Sequence, residues 1–174
     1  LSVLGPGLRL GWRTTFSPVS FKPSWAEVAE LDTADQLAKL AEPEFKAKLI
    51  SEESVFPESD VQLLAELMAN AFTLQYELGD GFNYEPSEEQ SIAYLADQAG
   101  VSGAEYAYDL MMSDGGNGFI YFPLLNYADG NLNCLEPILH SDDCINSLSD
   151  GGAHCGTICD AASPTFMLQH WVRD

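Results

Sequence analysis

Asp114-Gly115-Gly116-Asn117-Gly118, followed directly by Phe119-Ile120-Tyr121-Phe122-Pro123-Leu124-Leu125, is where the character of the chain changes. Turn-forming residues lead into a run that is apolar at every position. A strand with one wet face alternates apolar and polar side chains. A run without alternation reads as a strand covered on both faces, as in a parallel sheet. Residues 129–140 then read as a helix carrying Leu132, Leu135, Ile138 and Leu139, kinked by Pro137. Cys144-Ile145-Asn146-Ser147-Leu148 reads as a second short buried strand, and residues 149–154 as a loop. Ser163-Pro164 caps and opens a last helix through Phe166, Leu168 and Trp171. Strand, helix, strand, loop, helix is a βαβα unit, which belongs to an α/β sheet or barrel. Two strands do not cover themselves, so most of the sheet they join is expected outside this sequence.

Upstream, residues 24–113 read as helical throughout. Ser24 with Glu27, Thr33 with Gln36, Ser59 with Gln62, Ser87 with Gln90 and Ser102 with Glu105 have the spacing of capping boxes, each before an apolar periodic run. Pro43 fits a first helical position before Phe45, Leu49 and Ile50, and Gly100 fits a helix stop. Residues 1–23 are rich in Gly and Pro, with Val3-Leu4 and the stretch 8–12 as short strands and irregular chain between. The organisation expected is a barrel segment at 1–23, a helical insertion with flanking helices at 24–113, and the last βαβα units at 114–174.

The chain has 174 residues, enough for one ordinary domain with a single core. Seven Lys and Arg stand against 27 Asp and Glu, a formal net charge of −20. A surface that acidic repels nucleic-acid phosphates and anionic lipid, so neither is an expected partner. Such an excess of acid also fits a salty habitat. No apolar run reaches the roughly 18–20 residues of a membrane helix, and no signal peptide is read at the start. The chain begins at Leu1 rather than Met and is expected to be a piece of something longer. Cys134, Cys144, Cys155 and Cys159 all fall late in the chain, which suits a reduced, cytoplasmic protein better than a disulfide framework. Cys155 and Cys159 are spaced C-x3-C beside His154, but a closed zinc site needs four ligands and the usual second pair is not there. Packing thiols near a turn is the plainer reading.

The stretch that carries chemistry is Leu148-Ser149-Asp150-Gly151-Gly152-Ala153-His154-Cys155-Gly156. An Asp at the C-terminal end of a buried strand points into a barrel mouth, where active sites sit. The two glycines let backbone approach a ligand or metal closely. Asp150 has three roles open to it: metal ligand, base toward metal-bound water, or cap of the next helix. His154 alone and His170 beside Trp171 read as structural histidines.

The block 147–161 (SLSDGGAHCGTICDA) resembles the N-acyl-D-amino-acid deacylases of the metal-dependent amidohydrolase superfamily. So do Pro164-Thr165-Phe166, the segment His170-Trp171-Val172-Arg173-Asp174, Tyr108-Asp109-Leu110 and Asn126-Tyr127; Tyr84-Glu85-Pro86 and the stretch 16–25 match more loosely. The resemblance implies a (β/α)8 barrel that binds zinc at its mouth and hydrolyses the amide of N-acylated D-amino acids. It implies Asp150 as the general acid/base and a zinc contact, with Gly151, Gly152 and His154 shaping the loop around substrate. It also implies a mobile, mostly helical insertion, which residues 24–113 resemble.

The departures are as informative. The family's H-x-H pair is missing; His140, His154 and His170 form none. The family's metal-ligating Cys or Glu and the two later histidines of the middle strands are missing as well. The expectation is therefore the C-terminal portion of the barrel with few strands, holding no zinc itself and inactive alone. Exposed barrel strands invite aggregation, so self-association to a homo-oligomer is expected. The alternatives are a non-catalytic acidic helical domain serving self-association or partner binding, and a small metal module built on Cys155, Cys159 and His154.

Overall fold

The structure, a computed structural model, describes residues 2–3, 7–79, 83–123, 125–147 and 163–172, and it mixes helix with strand. The strands are β1 (Ser2–Val3), β2 (Gly7–Leu10), β3 (Tyr76–Leu78), β4 (Phe119–Pro123) and β5 (Asn146–Ser147). β4 is the centre of a three-stranded antiparallel sheet, flanked by β2 and β3. β1 and β5 form a separate parallel pair, Ser2 opposite Asn146 and Val3 opposite Ser147.

Residues 119–123 of the apolar run thus form a central strand, but it is antiparallel, not parallel as its pattern suggests. The physical reason lies in what covers it. Ile120 and Phe122 point into the main core with Leu10, Val28, Leu40, Leu49, Tyr108 and Met111. Tyr121, one residue out of phase and so on the opposite face, belongs to a second cluster with Tyr76, Tyr127, Leu132 and Leu135. A strand needs apolar side chains on both faces wherever both are covered. Coverage says nothing about the direction of its neighbours.

The helices are α1 (Thr33–Leu40), α2 (Pro43–Ser51), α3 (Gln62–Asn70), α4 (Ile92–Ala99), α5 (Gly103–Gly116), α6 (Glu136–Leu139) and α7 (Ser163–Phe166), the last continuing as π-helical Met167–Val172. Pro43 stands in the first turn of α2, Ser102 caps α5 by accepting from the Glu105 N–H at 3.1 Å, and Gly100 ends α4 in the left-handed region at φ 71. Other boxes are displaced. Asp32, not Thr33, caps α1, accepting from Ala34 and Asp35 N–H at 3.0 Å. Gln90 does reach back to the Ser87 N–H at 2.9 Å, but around a short 3-10 turn; Ser91 caps α4. α3 starts at Gln62 with no side-chain cap. Ser24 opens no α-helix: it lies inside a 3-10 turn at Pro23–Glu27, where the Glu52 carboxylate accepts the Ser24 N–H at 2.9 Å and the Ser24 hydroxyl. The region is not wholly helical, since β3 lies inside it. Pro137 starts α6 instead of kinking a longer helix, following a 3-10 turn at Asn133–Leu135.

The regular part of α5 breaks at Ser113, and Asp114, Gly115 and Gly116 take left-handed φ values of 49, 64 and 83. This is the turn cluster of the sequence, and it aims the chain into β4. Tyr108 ties the helices together. Its hydroxyl donates to the Leu40 carbonyl at 2.7 Å and its ring meets Trp12 edge-on at 5.0 Å. The N-terminal apolar residues Leu10, Trp12 and Val19 find their cover in this same core.

Candidate functional site

Asp150, Gly151, Gly152 and His154 lie outside the described residues, as do Cys155 and Cys159. The structure describes how the chain enters and leaves that stretch. β5 leads in, as one strand of the parallel pair, and α7 leads out.

α7 docks through one face. Phe166, Met167 and Trp171 pack against the second cluster. The Phe166 ring lies 4.5 Å from Tyr84 and stacks on His170 at 5.0 Å with an interplanar angle of 10°. His170 meets Trp171 edge-on. Its Nε2 sits 3.3 Å from Glu85 Oε2. The other Glu85 oxygen accepts the buried Leu132 N–H at 2.6 Å.

Glu85 is itself held. Asn83 accepts its N–H at 3.0 Å and donates to its carbonyl at 2.7 Å. Next to it, the Tyr127 hydroxyl donates to the Pro86 carbonyl at 2.7 Å. Residues 83–86 therefore join three separate pieces: α7, the 127–132 turn and, through Tyr84 against Tyr121, strand β4. Burial pushes the Tyr127 phenol up to about 12, helped by neighbouring Tyr76 and the Glu85 charge. Burial also raises Tyr76, with a smaller push from Glu88.

A carboxylate facing an imidazole orients the ring and answers its charge when it is protonated. That is one half of a proton-transfer device. The other half, a nucleophile or a metal-bound water, needs converging donors. Among the described residues no three of His, Cys, Asp and Glu gather to hold a metal. His140 is spent locally, its Nδ1 donating to the Glu136 carbonyl at 3.0 Å. Cys134 is exposed and Cys144 half-buried, both as free thiols. The described residues do not gather a zinc centre. They supply a joint that seats α7.

The role of Glu85 is not visible in sequence, where it lies far from both its partners. One signal does point to His170. Between Lys48 and Arg173 the chain has no Lys or Arg, so the histidines are the only basic side chains of that part. No helix among the described residues is long and apolar enough to cross a membrane. Comparison with protein-family models, with curated proteins and with solved structures finds no match to this chain.

Proposed function

We infer that the chain is part of a zinc-dependent amidohydrolase acting on N-acyl-D-amino acids, with Asp150 as its general acid/base. One observation carries this reading. The block resembling the deacylases begins on β5, which runs parallel to β1, so Asp150 follows the C-terminal end of a parallel strand. That end is where (β/α)8 barrels keep their chemistry. β1 and β5 are then neighbouring staves of the barrel, and the helices within residues 24–113 belong to the insertion. Gly151, Gly152 and His154 shape the loop, Asp150 also meets the metal, and the Glu85–His170 joint fixes the helix that follows. The substrate is a small N-acylated amino acid. The free thiols of Cys134 and Cys144 fit a cytoplasmic setting.

The remaining zinc donors are not in this sequence, so the chain alone hydrolyses no amide. Its metal content, measured after dialysis against zinc, is expected well below one per chain. The coding frame upstream of Leu1 is expected to contain an H-x-H pair. A full zinc complement in the isolated chain, or an upstream frame without that pair, refutes the reading.

A second reading, a non-catalytic acidic domain that self-associates or binds a partner, has its own support. β4 is covered on both faces by residues of this chain, so the main core closes without further strands.

A further inference from the structure

An asparagine side chain carries the atoms of a cyclisation. The backbone nitrogen of the next residue gives up its proton and attacks Cγ, closing a cyclic imide and expelling Nδ2 as ammonia. Water then opens the imide at either carbonyl. The product is aspartate or, with the main chain rerouted through the side chain, isoaspartate. Glycine in the next position favours the step, because no Cβ crowds its nitrogen and its backbone turns freely. Of the asparagines in this chain only Asn117 is followed by glycine, Gly118.

Asn117 is exposed to water and stands between α5 and β4. The folded turn opposes the reaction in three ways. At ψ 4 the Gly118 nitrogen eclipses the Asn117 nitrogen, whereas ring closure needs it swung round toward Cβ. The Gly118 N–H, whose proton must leave, donates to the Ser113 carbonyl at 3.2 Å, and the Asn117 N–H donates to the same oxygen at 3.1 Å. The Asn117 side-chain amide donates to the Asp114 carbonyl at 2.7 Å, which ties the leaving nitrogen back onto the turn.

The fold itself demands the reactive pair. A Cβ at Gly118 would lie 1.8 Å from the Leu110 carbonyl oxygen, so glycine is needed where the chain enters β4. That closeness also leaves no slack for the products. Aspartate has no N–H for the Asp114 carbonyl, and isoaspartate adds a methylene to the backbone of the turn. Directly beyond lie Ile120 and Phe122 of the main core and Tyr121 of the second cluster.

We propose that Asn117–Gly118 is a deamidation site held shut by the α5–β4 turn, and that conversion, once the turn opens, loosens the entry of β4 irreversibly. The site is separate from the Glu85–His170 joint and does not depend on the amidohydrolase reading. The test incubates the whole chain at mildly alkaline pH, folded and in urea. Peptide mass mapping follows each asparagine, with isoaspartate resolved by chromatography. In urea Asn117 is expected to convert ahead of the other asparagines. In the folded chain it converts at least about tenfold more slowly, the equivalent of about 1.4 kcal/mol of turn closure.

Gly115→Ala keeps the reacting pair but strains the turn, since Gly115 sits at φ 64 with open space around it. It raises the folded-state rate about fivefold or more, the equivalent of about 1 kcal/mol, and leaves the rate in urea unchanged. Ser113→Ala removes the hydroxyl bond to the Leu110 carbonyl and acts in the same direction. The proposal is overturned if Asn117 converts as fast folded as in urea, or if another asparagine converts first in urea. It is overturned equally if both variants keep the parent's folded-state rate. The converted protein, separated by its added negative charge, is expected to melt below the parent, and equal melting overturns the loosening of β4.

Discussion

Removing the Glu85 carboxylate separates the two bonds it makes, and their magnitudes differ. The bond from the buried Leu132 N–H, at 2.6 Å, is charge-assisted and leaves an unsatisfied donor when broken. Such bonds contribute about 1.5–3 kcal/mol. The pair with His170 spans 3.3 Å between side chains 35% and 23% exposed. Pairs that wet contribute about 0.2–1 kcal/mol. Glu85→Ala is therefore expected to cost about 2–3 kcal/mol, dominated by Leu132, a fall of about 4–12 °C in Tm for a chain of this size. His170→Phe keeps the ring that stacks on Phe166 and loses only the pair, so it costs under about 1 kcal/mol. The double variant gives a coupling of about 0.2–1 kcal/mol. Urea unfolding followed by tryptophan fluorescence reads all four proteins. If His170→Phe costs as much as Glu85→Ala, or Glu85→Ala costs under about 0.5 kcal/mol, Glu85 is not the bracket described here.

Three further outcomes follow from the same structure. Tyr108→Phe leaves the Leu40 carbonyl without its 2.7 Å partner and is expected to cost about 1–2 kcal/mol by urea unfolding, whereas exposed Tyr94→Phe costs almost nothing. Gly118→Ala places a Cβ 1.8 Å from the Leu110 carbonyl oxygen, so it must shift the α5–β4 turn and is expected to lower the melting temperature measurably, as overpacking by about 1–3 kcal/mol does. Burial raises Tyr127 to about 12 from 10.0, and Tyr108 further. Both phenols favour the folded state while neutral, so that contribution is complete below pH 10 and disappears as pH rises through about 12. Phenolate absorbance should show these two titrating above the usual value of 10.0, with loss of fold over the same interval.

Local signals were legible where the chain meets only itself. Pro43, Gly100 and Ser102 do what their residue types dictate, and Asp114 to Gly116 make the turn that their composition announces. Long-range competition erased other signals. Ser24 is spaced for a capping box but sits inside a 3-10 turn tied to distant Glu52. The run at 119–123 revealed burial on two faces and concealed strand direction, because direction is decided by β2 and β3, which carry no mark of it. Glu85 was unreadable for the same reason, with partners at 132 and 170. His170 read as structural from its neighbours alone, because its partner Glu85 lies 85 positions away.

The most direct measurement is amide hydrolysis by the protein translated from the complete natural reading frame containing this sequence, assayed on a panel of N-acetyl-D-amino acids with zinc. The parent is expected to release the free D-amino acid and Asp150→Asn none, with both proteins folded. Equal activity in the two, or no hydrolysis of any member of the panel by the parent, contradicts it.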